Sequence, residues 1–160
     1  MAFTKNKYAL PFKEEVPNKA ISDPRVHFAH FKHAIDFLLP EGTKLMASAA
    51  GTVVKVKVDS KEGGPDPKYK DPKYLNHITI QHGNGEYSYY SHLRHQGALV
   101  RVGDNIKEGQ PIAISGNTGF TTAPHLHFCV FRLSDTEAGW ETLEVDFKEK
   151  IFIVTPQNSR

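Results

Sequence analysis

Two histidines set two apart, His125 and His127 in Ala123-Pro124-His125-Leu126-His127-Phe128, offer a two-point grip on a metal if the segment is extended. Alternate residues of a strand share a face. The β-branched and aromatic run Cys129-Val130-Phe131 that follows, and the turn-like Thr121-Thr122-Ala123-Pro124 before it, predict a short strand at this place. A second cluster sets His27, His30 and His33 ahead of Asp36 in Ala34-Ile35-Asp36-Phe37-Leu38-Leu39. Imidazole nitrogen plus one carboxylate oxygen is the ligand set of a catalytic zinc site, where about three protein groups hold the ion and a fourth position stays open for water. Asp36 could supply the oxygen, because an acid among apolar neighbours needs a charge partner to stay ionised. The competing assignments are a turn cap or an ion pair with Lys32. The histidine that would join Asp36 is open at this point. His33 is three residues away and faces the other side of a continuous strand, whereas His30 has the right parity but lies about 20 Å off unless the chain bends back.

Four motifs in order carry a family resemblance: His27 with His33-Ala34-Ile35-Asp36-Phe37-Leu38-Leu39-Pro40-Glu41-Gly42-Thr43, then Tyr90-Ser91-His92-Leu93, then Gly116-Asn117-Thr118-Gly119, then Ala123-Pro124-His125-Leu126-His127-Phe128. Together they resemble the lysostaphin-like zinc metallopeptidases, from about residue 25 to about residue 132. The resemblance implies that Asp36 and His127 are zinc ligands and that His92 and His125 flank the attacking water. In the commonest form of the motif the first ligand lies four residues before the aspartate, and here that position is Lys32. A branch of the family with the local sequence Tyr-Ala-x-Asp-Phe places its histidine further upstream, and His27 resembles that spacing. His27 is therefore expected as the first ligand ahead of His30, with His33 a packing residue. The implied activity is a zinc-dependent endopeptidase acting on the cross-links or stem peptides of peptidoglycan. Zinc lowers the pKa of bound water to about 7 and polarises the scissile carbonyl, and imidazole can then accept or donate the proton. Which of His92 and His125 is the base is not legible. Zinc is the expected metal, although a nitrogen and oxygen site accepts other divalent ions.

Two other classes compete. A glucose-type phosphotransferase carrier shares the duplicated β-sandwich and passes a phosphoryl group between two histidines, but it has no use for Asp36. A non-catalytic binding or activator module of the same fold is kept open by Lys32 alone, and would gain weight if His27 lay far from Asp36. A lipoyl-type carrier fits less well, since Lys44 and Lys107 do not sit at a hairpin tip in the required way.

The elements that must position these residues are strands. Thr52-Val53-Val54-Lys55-Val56-Lys57-Val58 alternates apolar residues with lysine, and His77-Ile78-Thr79-Ile80-Gln81 has the same character, while long amphipathic helices are absent. Gly83-Asn84-Gly85 between two such runs predicts a tight hairpin turn. The aromatic run Tyr87-Ser88-Tyr89-Tyr90 could be core or a substrate-holding surface. Residues 40–54 echo residues 102–113, a strand, turn, strand unit, which suggests a duplicated half-barrel. The expected fold is therefore an all-β antiparallel sandwich of duplicated hybrid-motif type with few or no helices, its site in a groove across one sheet. The polar stretch from Asp59 to Lys73, rich in Gly and Pro, is expected to be a loop, either a groove wall or an inert insertion. Residues 11–17 are expected to be extended, the stretch from Trp140 to Val154 to complete the domain with strands, and residues 156–160 to fray.

A chain of 160 residues is expected to form one peptidase domain over 1–160, and its 39% hydrophobic and 24% charged residues are ordinary. A net charge of +2 is too small to argue for nucleic acid. No apolar run reaches the ~20 residues that cross a bilayer. The first residues lack the apolar segment of a signal peptide, so the implied wall substrate requires a removed leader, phage-type lysis or a different target. Localisation is not legible, and a monomer is the expectation. Cys129 is the only cysteine, so no internal disulfide forms; it shares parity with His125 and His127, but a buried thiol packing as a small hydrophobe is the commoner outcome.

Overall fold

The computed structural model describes residues 3–156, so the expected fraying of the C-terminus falls, from residue 157 on, outside the described residues. The strands are β1 (Phe3–Tyr8), β2 (Lys19–Ile21), β3 (Ile35–Leu38), β4 (Lys44–Met46), β5 (Gly51–Lys57), β6 (Gly63–Gly64), β7 (His77–Gln81) and β8 (Glu86–Ser91). They continue as β9 (Leu93–Ala98), β10 (Asn105–Ile106), β11 (Pro111–Ser115), β12 (Gly119–Phe120), β13 (His125–Leu133), β14 (Trp140–Phe147) and β15 (Ile153–Val154). Among the described residues the helical content is confined to short 3-10 turns, such as Ala29–Phe31 and Pro67–Lys70.

The main sheet is open and runs β10-β5-β7-β8-β13-β3-β2-β15, with β14 also pairing β13 and β1 pairing β14. A second sheet runs β4-β11-β9. This is the expected all-β sandwich, mostly antiparallel, with parallel pairing at β1 and β14, β15 and β2, and β12 and β6. The two echoing segments pair reciprocally: β4 of the first lies against β11 of the second, and β5 of the first against β10 of the second. Each half thus supplies the other's neighbour, as a duplicated half-barrel requires.

Strand alternation divides the main sheet into two faces. Leu126, Phe128 and Val130 of β13 point into a core with Phe12, Phe37, Leu45, Ile78, Ile80 and Tyr90, all buried. His125, His127 and Phe131 take the opposite face of β13. The aromatic run of β8 divides the same way, with Tyr90 fully buried in the core and Tyr87 and Tyr89 half-buried on the other side. It is therefore both core and surface.

Three expectations change in detail. Residues 11–17 are not extended: Val16 N–H donates to Lys13 O in a turn, because the buried Phe12 packs edge-on against Phe37 and pulls the chain inward. The alternation of residues 52–58 breaks at a register shift between Val53 and Lys55, which leaves Val53 buried and Val54 exposed. Within the stretch 59–73, Gly63–Gly64 forms a short parallel ladder with Gly119–Phe120, and Asp66 and Asp71 cap two 3-10 turns by accepting from Lys68 N–H and Lys73 N–H. A Cβ on Gly63 would collide with the backbone of Asn117 and Gly119, so only glycine permits this approach. The hairpin turn after β7 forms as expected, with Asn84 at φ 61°.

Glu86 fastens the N-terminal strand. Its buried carboxylate accepts from Lys5 N–H (2.6 Å), Asn6 N–H (3.1 Å) and the Tyr8 hydroxyl (3.0 Å). Glu86→Ala leaves those donors without an acceptor and is expected to lower the unfolding free energy by about 3 kcal/mol, measured by urea denaturation; an unchanged midpoint would contradict the latch. A second expectation concerns pH. Burial first, then Lys55 and Lys57, lower the His77 pKa to about 4. A folded-state value below the unfolded one, about 6.5, gives stability that is full above pH 6.5 and is lost as pH falls towards 4. Between pH 7 and pH 5 the His77→Gln variant should lose about 1 kcal/mol less than the wild type in the same denaturation experiment.

Candidate metal centre

The antiparallel register of the main sheet sets the geometry. On β13, His127 lies directly opposite Asp36 of β3 on one side and Ser91 of β8 on the other. Directly opposed side chains are close enough to touch, and Nδ1 of His127 is 3.0 Å from Oδ1 of Asp36. His27 arrives from outside the sheet. Its N–H donates to Asp23 O in a turn, the 3-10 turn Ala29–Phe31 reverses the chain, and Ala34 N–H donates to Phe31 O just before β3 begins. This loop folds the His27 ring back over the strand, so that Nε2 stands 3.3 Å from Oδ2 of Asp36.

His27, Asp36 and His127 each turn one ligand atom to a common point, with all three atoms within 4.8 Å of one another. The chain bends back as an upstream ligand requires, but it brings in His27 and carries His30 away. His30 packs instead against Phe31 and Trp140, with ring centroids 4.4 and 4.6 Å apart. His33 is half-buried at the start of β3, with its backbone N–H on Thr142 Oγ1. Lys32 is exposed, and the ion-pair partners of Asp36 among the described residues are all imidazoles. Cys129 is buried, its thiol pushed up to about 12 by desolvation, and it stands outside the three-residue group.

Two imidazole nitrogens and a carboxylate oxygen converging without any lysine or arginine are the donor set of a zinc ion, and the residues present fit that metal. The electrostatics agree. Burial alone would raise the Asp36 pKa, but hydrogen bonds from His127 and His27 outweigh it and hold the carboxyl well below the usual carboxylate range. Burial opposes a proton on His27, yet the contact with Asp36 prevails and raises its pKa. Asp36 is thus ionised and ready to face a cation.

His92 and His125 stand beside this group with ring centroids 4.3 Å apart. Each is held by its Nδ1. His92 Nδ1–H donates to Thr118 O (2.6 Å) and His125 Nδ1–H to Ala123 O (2.8 Å), so that in the neutral form each ring carries its lone pair on Nε2. Nε2 of His125 is 3.8 Å from Oδ1 of Asp36. Burial first, then the neighbouring His125 and His127, push His92 down to about 3, and burial lowers His125 against the pull of Asp36. All five residues singled out in the sequence therefore meet in one place.

Sequence reasoning expected a groove across the sheet and weighed Tyr87 and Tyr89 as a substrate-holding surface, but it did not name Phe31 or Trp140 in its lining. A groove of about 480 Å³ runs along the same face, lined by Phe31, His77, Tyr87, Tyr89, Phe131 and Trp140 among others. Phe31 and Trp140 belong to segments with no periodic signal in common, and the pairing of both β3 and β14 with β13 brings them together. Also missed were the buried Asn76 and Ser60. Their only signal in the sequence was a polar residue at either end of a polar stretch.

Comparison with known proteins agrees with this geometry. The sequence profile of Peptidase family M23 matches residues 30–138. The chain is 38% identical to the Peptidoglycan DD-endopeptidase ShyA of Vibrio cholerae over 93 residues, which is 58% of this chain and 18% of that protein. It is 35% identical to Lysostaphin of Staphylococcus staphylolyticus over 97 residues, 60% of this chain and 18% of that protein. The chain spans about a fifth of the length of the curated relatives it matches. Among solved structures, a zinc containing peptidase from Vibrio cholerae superposes with a TM-score of 0.55 at 25% identity, covering 78% of this chain and 36% of that one. The catalytic domain of lysostaphin from Staphylococcus simulans superposes with a TM-score of 0.53 at 26% identity, covering 88% of each chain. With a profile match over most of its length and a metal-binding donor set at the centre of the matched fold, the chain belongs to Peptidase family M23.

Proposed function

We propose that the chain is a zinc-dependent endopeptidase domain that hydrolyses peptide bonds in the cross-links or stem peptides of peptidoglycan. The observation that carries this reading is the convergence of His27, Asp36 and His127 on one point with two further histidines alongside. His27, Asp36 and His127 would hold the metal. Zinc bound there supplies Lewis acidity, bringing the pKa of water towards 7 and polarising the scissile carbonyl.

The rest of the chemistry falls to His92 and His125. With both Nδ1 protons committed to backbone carbonyls, each ring offers Nε2 as a proton acceptor. One takes the proton of the attacking water and thereby becomes the donor that the tetrahedral oxyanion and the leaving amine need. His125 is the better placed to hold that proton, since Asp36 lies 3.8 Å away and stabilises positive charge on its ring. His92 is buried between two other histidines, which keeps it neutral and suits it to orient the water. The aromatic groove beside the centre offers the peptide an apolar surface to bind.

The relative named above as a Peptidoglycan DD-endopeptidase supports this choice of substrate class. A non-catalytic module would be favoured by a His27 far from Asp36, and the 3.3 Å contact removes that argument.

Elemental analysis of purified protein is expected to give near-stoichiometric zinc in the wild type and in His30→Ala, and its loss in His27→Ala, Asp36→Ala and His127→Ala. Zinc lost from His30→Ala but retained by His27→Ala would reverse the first-ligand assignment. In release of soluble fragments from purified peptidoglycan, His125→Ala and His92→Ala are expected to keep zinc and to lose about 100-fold or more in rate. Activity of the wild type should vanish with a chelator and return on adding zinc. A zinc-loaded wild type that leaves peptidoglycan intact would refute the proposed substrate.

A further inference from the structure

We propose that Asn76 and Thr118 are positioning residues that set the place and the tautomer of His92, through a buried hydrogen-bond lattice supplied by the 59–75 insertion. The inference rests on the reading that His92 takes part in the reaction.

His92 occupies an awkward place in the backbone. It sits between β8 and β9 at φ 66°, in the left-handed region that residues other than glycine uncommonly adopt. Its own carbonyl and that of the next residue are tied down. His92 O accepts from Gly116 N–H (3.0 Å), and Leu93 O accepts from both Thr118 Oγ1–H (2.7 Å) and Asn76 Nδ2–H (3.2 Å). Thr118 in turn presents its own carbonyl to His92 Nδ1–H. The side chain and the carbonyl of one residue therefore hold both the backbone after His92 and the ring of His92.

Asn76 locks Thr118 to the insertion. Its backbone N–H donates to Thr118 Oγ1 (3.3 Å), its Oδ1 accepts from Ser60 N–H (3.0 Å), and its Nδ2 donates to Ser60 O (2.9 Å) as well as to Leu93 O. Asn76 and Leu93 are fully buried, and Thr118 and Ser60 nearly so, so none of these groups has water as an alternative partner. The role needs an amide, because one side chain must accept from Ser60 while donating to two carbonyls.

The insertion also reaches His125. Gly119 N–H donates to Glu62 O and Thr121 N–H to Gly64 O, while Thr121 Oγ1–H donates to Ala123 O, the same carbonyl that holds His125 Nδ1–H. None of the aromatic groove's lining comes from residues 59–75. The insertion is thus a brace behind the two histidines rather than a wall of that groove.

The test uses the zinc-loaded protein, a soluble cross-linked muropeptide and the variants Thr118→Val, Thr118→Ser and Asn76→Asp. Thr118→Val and Asn76→Asp are expected to keep zinc, to change KM less than twofold and to lower kcat by about 10- to 100-fold, as changes behind a directly acting histidine do. Thr118→Ser, which restores the hydroxyl, should return kcat to within about threefold of wild type. Long-range proton–nitrogen NMR at a fixed pH should find His92 protonated on Nδ1 alone in the wild type and exchanging between tautomers in Thr118→Val. A wild-type His92 protonated on Nε2 overturns the proposal, as does a Thr118→Val protein with wild-type kcat and tautomer. Should Asn76→Asp not fold, Thr118→Val and the wild-type spectrum decide. Should the wild type hydrolyse no muropeptide, the functional reading fails, and the tautomer measurement still decides the positioning.

Discussion

The register between β3, β13 and β8 is the constraint on which the rest of this molecule depends. His127 is paired across the sheet with Asp36 and with Ser91, and this pairing alone brings a carboxylate and an imidazole from residues 91 positions apart to 3.0 Å. The same alternation sends Leu126, Phe128 and Val130 into the core. A slip of one residue would turn His127 inward and Phe128 outward, placing a polar imidazole among Phe37 and Tyr90. The buried aromatic and aliphatic side chains thus enforce the register, and the register enforces the metal centre.

At that centre the electrostatic problem is a half-buried carboxylate whose ion-pair partners, among the described residues, are three imidazoles and no permanent cation. Hydrogen bonds from His27 and His127 keep Asp36 ionised, and a divalent ion resolves the arrangement by pairing the charge with a set of donors already in place. Around it, each histidine is held by one nitrogen so that the other is free. Thr118 and Ala123 carbonyls take the protons of His92 and His125, which is how backbone geometry, rather than any further acid, fixes the chemistry these rings can perform.

Family membership and geometry complement one another. Relatives indicate a peptidase fold, while the distances within this chain favour the proposal that His27 stands as first ligand in place of Lys32. A loop with one 3-10 turn, Ala29–Phe31, suffices to place the proposed ligand nine residues before Asp36 rather than four, because it reverses the chain before β3 starts. The same loop sends Phe31 and His30 against Trp140, making the ligand's approach route one wall of the groove.

The sequence by itself determined the all-β class and the echo between residues 40–54 and 102–113, and its resemblance to the lysostaphin-like peptidases named five residues that meet at the site. These are local or patterned properties: alternation along 77–81 and 125–131, turn chemistry at Asn84 and Gly85, and the His-x-His spacing all act within a few residues. It left His27 and His30 undivided on spacing alone, since strand parity says nothing about a loop that bends. It also read residues 11–17 as extended where Phe12 draws a turn into the core, and could not choose between wall and insertion for residues 59–73. Tertiary structure decided those points, because each depends on partners distant in the chain: Phe37 for Phe12, Trp140 for His30, and Thr118 with Leu93 for Asn76. A buried amide that must satisfy both Ser60 and Leu93 has no periodicity to announce it, and its meaning exists only once four segments have been folded against one another.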